Sequence, residues 1–252
     1  MGWTGAIPQD GPSTLRRIPP GGNSARVSSQ LSLVTTRDPD AVADALALRR
    51  AVFVDAGGAV SDADAFDHGA EHLILRDPAR PEIGVVGTLR IGTGWAYTAR
   101  EFDLSRLVAS GRAMIEIGRT CLHPDYRGGL AGLKLLQGAL DAATARGAEL
   151  LVGTASFPGS DPTAHLDALR RLASDALAPE AIRPTAHGPG AIAVSGPAPR
   201  AAMRTVPPLI KTYLRAGARV GSGAYCDAAF GTTDICMVLD LADLRLPRGL
   251  RG

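Results

Sequence analysis

Apolar and polar positions along the chain first alternate and then run together, and the change between the two marks its organisation. Leu31 to Thr35 reads as a short strand, and Asp38 or Asp40 can cap a helix from about Ala41 to Val54 with Leu46, Phe53 and the alanines on its buried face. His72 to Arg76 and Ile83 to Ile91 alternate as antiparallel strands around a DPARPE turn, with Val86, Thr88 and Arg90 on one face and Val85, Gly87 and Leu89 on the other. Trp95 to Thr98 reads as an extension of that sheet, and Phe102 to Ser110 as a short helix or turn. Ala113 to Leu122 predicts a strand, about Gly129 to Arg146 a helix closed by Gly147, and Glu149 to Ala155 a nearly continuous apolar strand. That succession is a βαβ unit with parallel strands.

Downstream, Asp161 can cap a helix from Thr163 to Ala176, and residues 178–199 are rich in Pro and Gly around one apolar run, Ala191 to Val194. A helix from about Pro208 to Ala218 begins with proline in its first turn, and GAYCD with TDICMVLDL gives a terminal strand pair. The pattern predicts an α/β fold, a mixed twisted sheet with helices on both faces. Residues 1–30, dense in Gly, Pro and Ser, read as a flexible leader outside the fold, and residues 241–252 as a tail.

Composition narrows this picture. With 45% hydrophobic and 21% charged residues the chain has material for a core. Its net charge of +2 is unevenly spread. Asp55, Asp62, Asp64, Asp67, Glu71 and Asp77 crowd one stretch in which Arg76 is the only Lys or Arg, and residues 181–226 carry no carboxylate but include Arg183, Arg200, Arg204, Lys211, Arg215 and Arg219. Cys121, Cys226 and Cys236 form no C-x-x-C pair, which points to a reducing, cytoplasmic setting. No apolar run is long enough for a membrane span, and the N-terminal stretch lacks a secretory h-region.

Two charges then stand out because they interrupt the apolar strand Ala113 to Leu122. Glu116 and Arg119 need partners or a function there, since an unpaired buried charge is costly. Strict alternation puts them on opposite faces, so a common site requires a bulge near Gly118.

LRRAVF, DADAFD, GTLR, EIGRTCLHPDYRGG, GTASFPGSDP and PPLIKTYLRAGARVG, in this order over roughly Leu31 to Leu239, resemble the ornithine-acyl-carrier-protein N-acyltransferases, hemolysin-like members of the GNAT superfamily. A more distant likeness is to acyl-homoserine-lactone synthases, matched by Arg49, Asp64, Asp67, Arg90, Glu116 and Arg119. The resemblance implies a GNAT-like domain over residues 31–240, with a core to about residue 156 and a helical, basic elaboration after it. It also implies transfer of a 3-hydroxyacyl chain from acyl carrier protein to the α-amino group of ornithine, giving lyso-ornithine lipid. Acetyl-CoA-using members of the superfamily carry R/Q-x-x-G-x-G/A before the helix; here Leu130 stands where the first glycine is wanted, which fits a carrier-protein donor.

On that basis Glu116 is the expected base or amine-orienting group with Arg119 beside it, and Arg49, Asp64, Asp67 and Arg90 are expected around the substrate. Cys121, Arg127, Gly128 and Gly129 are expected at the donor, the last three as a phosphate site at a helix start. Direct transfer is favoured over an acyl-Cys121 intermediate, because no base adjoins that thiol. Lys211, Arg215 and Arg219, spaced four apart, predict a basic helical stripe for docking acyl carrier protein or an anionic membrane surface. With aromatics at 4% and none interleaving the stripe, nucleic acid is excluded. A metal set from Asp64, Asp67, His68 and His72 is set aside for want of a helix, and no cofactor beyond the phosphopantetheine thioester is expected. The competing readings are a CoA-dependent acetyltransferase, a homoserine-lactone-synthase-like enzyme and a non-catalytic, membrane-active lipid-binding protein. Localisation is expected to be cytoplasmic, peripheral to the inner membrane face.

Overall fold

The computed structural model describes residues 31–55, 61–92 and 94–245; the predicted leader 1–30, Gly57, Gly58 and the end of the predicted tail lie outside these. The strands are β1 (Ser32–Thr36), β2 (Glu71–Arg76), β3 (Val85–Ile91), β4 (Phe102–Asp103), β5 (Met114–Leu122), β6 (Leu150–Pro158), β7 (Thr185–Ala186), β8 (Ala191–Ile192), β9 (Arg219–Val220), β10 (Ala224–Asp227) and β11 (Thr232–Asp240). The helices are α1 (Pro39–Phe53), α2 (Ser105–Ala109), α3 (Leu130–Ala145), α4 (Leu166–Ala176) and α5 (Pro208–Arg215). One mixed sheet runs β1-β2-β3-β5-β6-β11-β10-β8 with β9 beside β11, and β4 pairs β7 apart from it.

The alternation read from sequence decides which helix covers which face. In β2, Leu73 and Leu75 join the large cluster around Leu135, Leu136 and Ala139 of α3, whereas Ile74 packs with Ala45 and Leu48 of α1. The two helices therefore lie on opposite faces. The β5–α3–β6 crossover is parallel, and Gly147 at φ 63° ends its helix, as the glycine predicted. Asp38, rather than Asp40, caps α1 by accepting the Ala41 amide at 2.9 Å.

Three expectations are corrected. Trp95 to Thr98 is a bend leading into a 3-10 turn at Thr98–Arg100, because Gly92 and Gly94 break the strand after Ile91. The segment after residue 156 is not an elaboration on a closed core. β11 pairs with β6 from Thr232↔Pro158 to Asp240↔Leu150, so the C-terminal part completes the sheet. Finally, α5 stops at Arg215 because Gly217 adopts φ 106°, and Arg219 lies in β9 opposite Val238. Lys211 and Arg215 share the helix; Arg219 does not complete a helical stripe.

Candidate active site

The site begins where two neighbouring strands part. β5 and β6 pair only from Met114↔Leu150 to Glu116↔Val152. At the next step Gly153 meets Ile117 so closely that a Cβ would collide with the Ile117 carbonyl, so glycine is required there. Beyond it lies a cavity of about 170 Å³, walled by Ile117, Leu136, Leu151, Leu209 and Tyr213, with Arg119, Ser156 and Asp234 as polar contributors.

The other edge of β5 carries the irregularity the parity argument required. β3 pairs Arg90 with Gly118 but Thr88 with Cys121, so Leu89 faces two residues, Arg119 and Thr120. The bulge sits one step past Gly118, and Arg119 adopts φ 52°, alone among the described non-glycine residues. That left-handed backbone costs about 1–2 kcal/mol. It turns the Arg119 side chain towards Asp64, which Nη2 reaches at 2.7 Å, and towards Tyr97 Oη at 3.0 Å.

There Arg119 joins a buried ionic cluster. Arg49, with no exposed surface, donates from Nε to Asp62 and from Nη1 to Asp67, both at 2.6 Å. Arg90 donates to Asp64 at 2.7 Å and Asp67 at 3.0 Å, and Arg119 pairs with Asp62 at 3.2 Å. Burial resists ionisation of Asp67, but the hydrogen bonds from Arg49 and from the Asp64 amide outweigh it and hold this carboxyl at about 2. Next to them His72 is fully buried with neither ring nitrogen bonded; burial and then the Arg49 charge push it down to about 4.

This geometry brings Arg49, Asp64, Asp67, Arg90 and Arg119 together, but it reassigns them. The aspartates are met by arginines of the chain itself rather than left open for a substrate amine, and neither Arg49 nor Arg90 lines the cavity. Within the acidic stretch Asp62 is buried, at 5% exposed.

Glu116 is likewise displaced from its expected post. It is buried, it does not line the cavity, and its Oε1 accepts the Thr98 amide at 2.5 Å. Burial raises its pKa, the Thr98 hydrogen bonds opposing. Its effect on the cavity passes through the Tyr97–Thr98 turn. The Tyr97 ring lines the cavity 4.8 Å from the Arg119 guanidinium, which also lies 4.5 Å from the Phe230 ring.

Cys121 is corrected as a donor contact. It packs with Ala45, Leu48, Ile74 and Val85 on the α1 face, away from the cavity, and burial pushes its thiol up to about 12. Arg127, Gly128 and Gly129 are exposed at the start of α3. Gly128 holds φ 78°, Gly129 occupies the cap position with no side-chain cap, and no acidic residue sits in the first turn. The first amides of α3 are therefore open to an anion. Lys211 donates to the Arg204 carbonyl at 2.8 Å, and Arg215 is exposed.

A second acidic group escaped sequence reasoning. Glu101, Asp227 and Asp234 bring carboxylate oxygens within 4.8 Å of one another, the one such grouping among the described residues; Asp64, Asp67, His68 and His72 make none. Burial foremost raises the pKa of both Glu101 and Asp234; the Ser156 and Thr232 hydroxyls beside Asp234 oppose this, and the charge of Asp227 adds to the rise in both acids. Asp234 was detectable by the logic that singled out Glu116, being a charge inside the apolar run of β11.

A family model described as an acetyltransferase (GNAT) domain matches residues 48–137. An L-ornithine N(alpha)-acyltransferase of Rhodobacter capsulatus is 38% identical over 81% of this chain and 87% of its own length. One of Agrobacterium fabrum is 36% identical over 73% of this chain and 68% of its own. Among solved structures, an N-acyl amino acid synthase from uncultured soil microbes superposes with a TM-score of 0.53 at 12% identity, covering 85% of this chain and 92% of that one. An N-acetyltransferase structure from Lactobacillus plantarum gives 0.50 at 21%, covering 84% and 98%. At such identities these two establish the fold alone.

Proposed function

Since the chain belongs to the family of L-ornithine N(alpha)-acyltransferases, we propose that it moves a 3-hydroxyacyl chain from the phosphopantetheine thioester of acyl carrier protein to the α-amino group of ornithine, giving lyso-ornithine lipid. The observation that carries this reading is the apolar cavity between the parted strands β5 and β6, with the carboxylate of Asp234 in its wall. An apolar slot suits an acyl chain and excludes water from the thioester, and a carboxylate there suits an amine.

In this account the α-ammonium gives a proton to Asp234, whose raised pKa makes it the better acceptor. The freed nitrogen attacks the thioester carbon; as the C–N bond forms and the C–S bond breaks, the proton shed by the acylated nitrogen passes to the departing sulfur, which leaves as the phosphopantetheine thiol. Attack is direct, since Cys121 lies outside the cavity. Arg119 and Glu116 act as positioning residues that fix the Tyr97–Thr98 turn and so hold the Tyr97 ring against the cavity. The open amides of α3, with Arg127, Gly128 and Gly129, receive the single phosphate of the pantetheine arm, and the exposed Leu130 disfavours the pyrophosphate of CoA.

Acyl carrier protein, acidic by the chemistry this docking needs, meets Lys211 and Arg215, and the same charges favour peripheral contact with an anionic membrane from the cytoplasmic side. No helix among the described residues is long and apolar enough to cross a membrane. The donor assignment is tested by comparing kcat/KM for one 3-hydroxyacyl chain on carrier protein and on CoA. A preference of about tenfold or more for the carrier-protein thioester is expected, and equal or better use of CoA overturns it.

A further inference from the structure

Charge within the molecule is balanced in one acidic group and not in the other. Asp62, Asp64 and Asp67 are matched by Arg49, Arg90 and Arg119. Glu101, Asp227 and Asp234 form no ion pair among the described residues. Glu101 is 6% exposed and Asp234 3%, yet Glu101 Oε2 and Asp234 Oδ1 accept no hydrogen bond, and the Asp234 carboxyl has only the neutral hydroxyls of Ser156 and Thr232 beside it. The Asp227 carboxylate spends one oxygen on the Phe230 amide at 2.8 Å. Buried carboxylate oxygens without donors are costly, and such a cluster is stable only when a cation or protons complete it.

The placement of the trio bears on which cation completes it. Asp234 lines the acyl cavity, and Glu101 and Asp227 line an adjoining hollow with Arg100, Gly190 and Tyr225. The three acids thus bridge the point where the acceptor's α-amine must meet the thioester and a pocket beside it. Ornithine carries a second, terminal ammonium a short methylene chain from its α-nitrogen. A primary ammonium can be held by the two carboxylates of Glu101 and Asp227 with one N–H left over, and the α-amine then meets Asp234, whereas a calcium-like ion wants about six to eight oxygens.

Resting on the ornithine acyltransferase reading, we propose that Glu101 and Asp227 hold the side-chain ammonium of ornithine while Asp234 faces its α-amine. The trio then selects a diamino acid and fixes which nitrogen is acylated. Desolvated charge-assisted hydrogen bonds of this kind discriminate strongly against an uncharged analogue, because the analogue leaves the carboxylates unpaired.

The test compares ornithine with norvaline, which has the same carbon skeleton without the terminal ammonium, in the wild-type enzyme and in Glu101→Gln and Asp227→Asn, with one thioester donor throughout. The kcat/KM ratio of ornithine to norvaline should fall by about tenfold to a hundredfold in either variant, the loss appearing mainly as a raised ornithine KM. Glu101→Gln keeps size and shape, and matched thermal melting identifies folded variants. A purely structural role lowers both substrates alike and leaves the ratio unmoved, which overturns the proposal. So does calorimetric titration with Mn²⁺ or Ca²⁺ that finds a stoichiometric site lost in Glu101→Gln, with the ratio unmoved. Failure of the parent reading is separate: wild-type enzyme then acylates neither amino acid.

Discussion

Glu116 and Arg119 grip the same dipeptide: the Glu116 carboxylate accepts the Thr98 amide, and the Arg119 guanidinium donates to the Tyr97 hydroxyl. On a regular strand they would point to opposite sides, and the bulge at Arg119 brings them to one task. Both contacts hold the turn that presents the Tyr97 ring to the cavity.

From this, Glu116→Gln, which keeps an oxygen for the Thr98 amide, should retain kcat to within about tenfold, whereas Glu116→Ala should lose both stability and activity. Steady-state kinetics with matched melting curves distinguish the roles. A general base would lose about 10²- to 10⁴-fold in Glu116→Gln, and that outcome would return Glu116 to the chemistry.

His72 makes stability depend on pH. Its folded pKa, about 4, is below its ordinary value of 6.5, so between these values the unfolded chain binds more protons. Its stabilising contribution is complete above about pH 6.5 and is lost as pH falls towards 4. Urea midpoints should decline across that window in the wild type and flatten in His72→Leu. An equal slope in both would place the acid sensitivity elsewhere.

The cavity between β5 and β6 predicts acyl-chain selectivity. Leu209 lines it from outside the β5–α3–β6 unit, so Leu209→Trp should fill space without touching the strands that part. The kcat/KM for a long 3-hydroxyacyl donor should drop about tenfold or more relative to a short one. A uniform loss on both chain lengths would mean that the acyl group lies elsewhere.

These predictions draw unequally on what the amino-acid order disclosed. The β5–α3–β6 unit was legible because apolar runs, a helix-ending glycine and two misplaced charges all lie within one local stretch. The parity of Glu116 and Arg119 even located the bulge to within a residue. Gathering of Arg49, Asp64, Asp67, Arg90 and Arg119 came from the resemblance, but their mutual neutralisation did not, since pairing of charges is a property of the folded loop. The docking stripe failed for a local reason visible in advance: Gly217 ends α5 before Arg219 can join it.

Glu101 and Asp227 were beyond such reading. They meet only when β10 and β11 return to the sheet beside β6 and the turn after Thr98 folds over them. Nothing in the chemistry of either residue's neighbours along the chain marks it. Asp234 is different, because an aspartate within TDICMVLDL is as anomalous as a glutamate within MIEIG.

On the proposed reading, a 3-hydroxyacyl chain is transferred to one nitrogen of ornithine in the cavity beside Asp234. Tandem mass spectrometry of the product formed by purified protein from 3-hydroxyacyl carrier protein and ornithine tests it most directly. Nα-(3-hydroxyacyl)ornithine is the expected product, formed by the wild type and lost in Asp234→Asn. An Nδ-acylated product, or acetylation from acetyl-CoA with no transfer of the long chain, would contradict it.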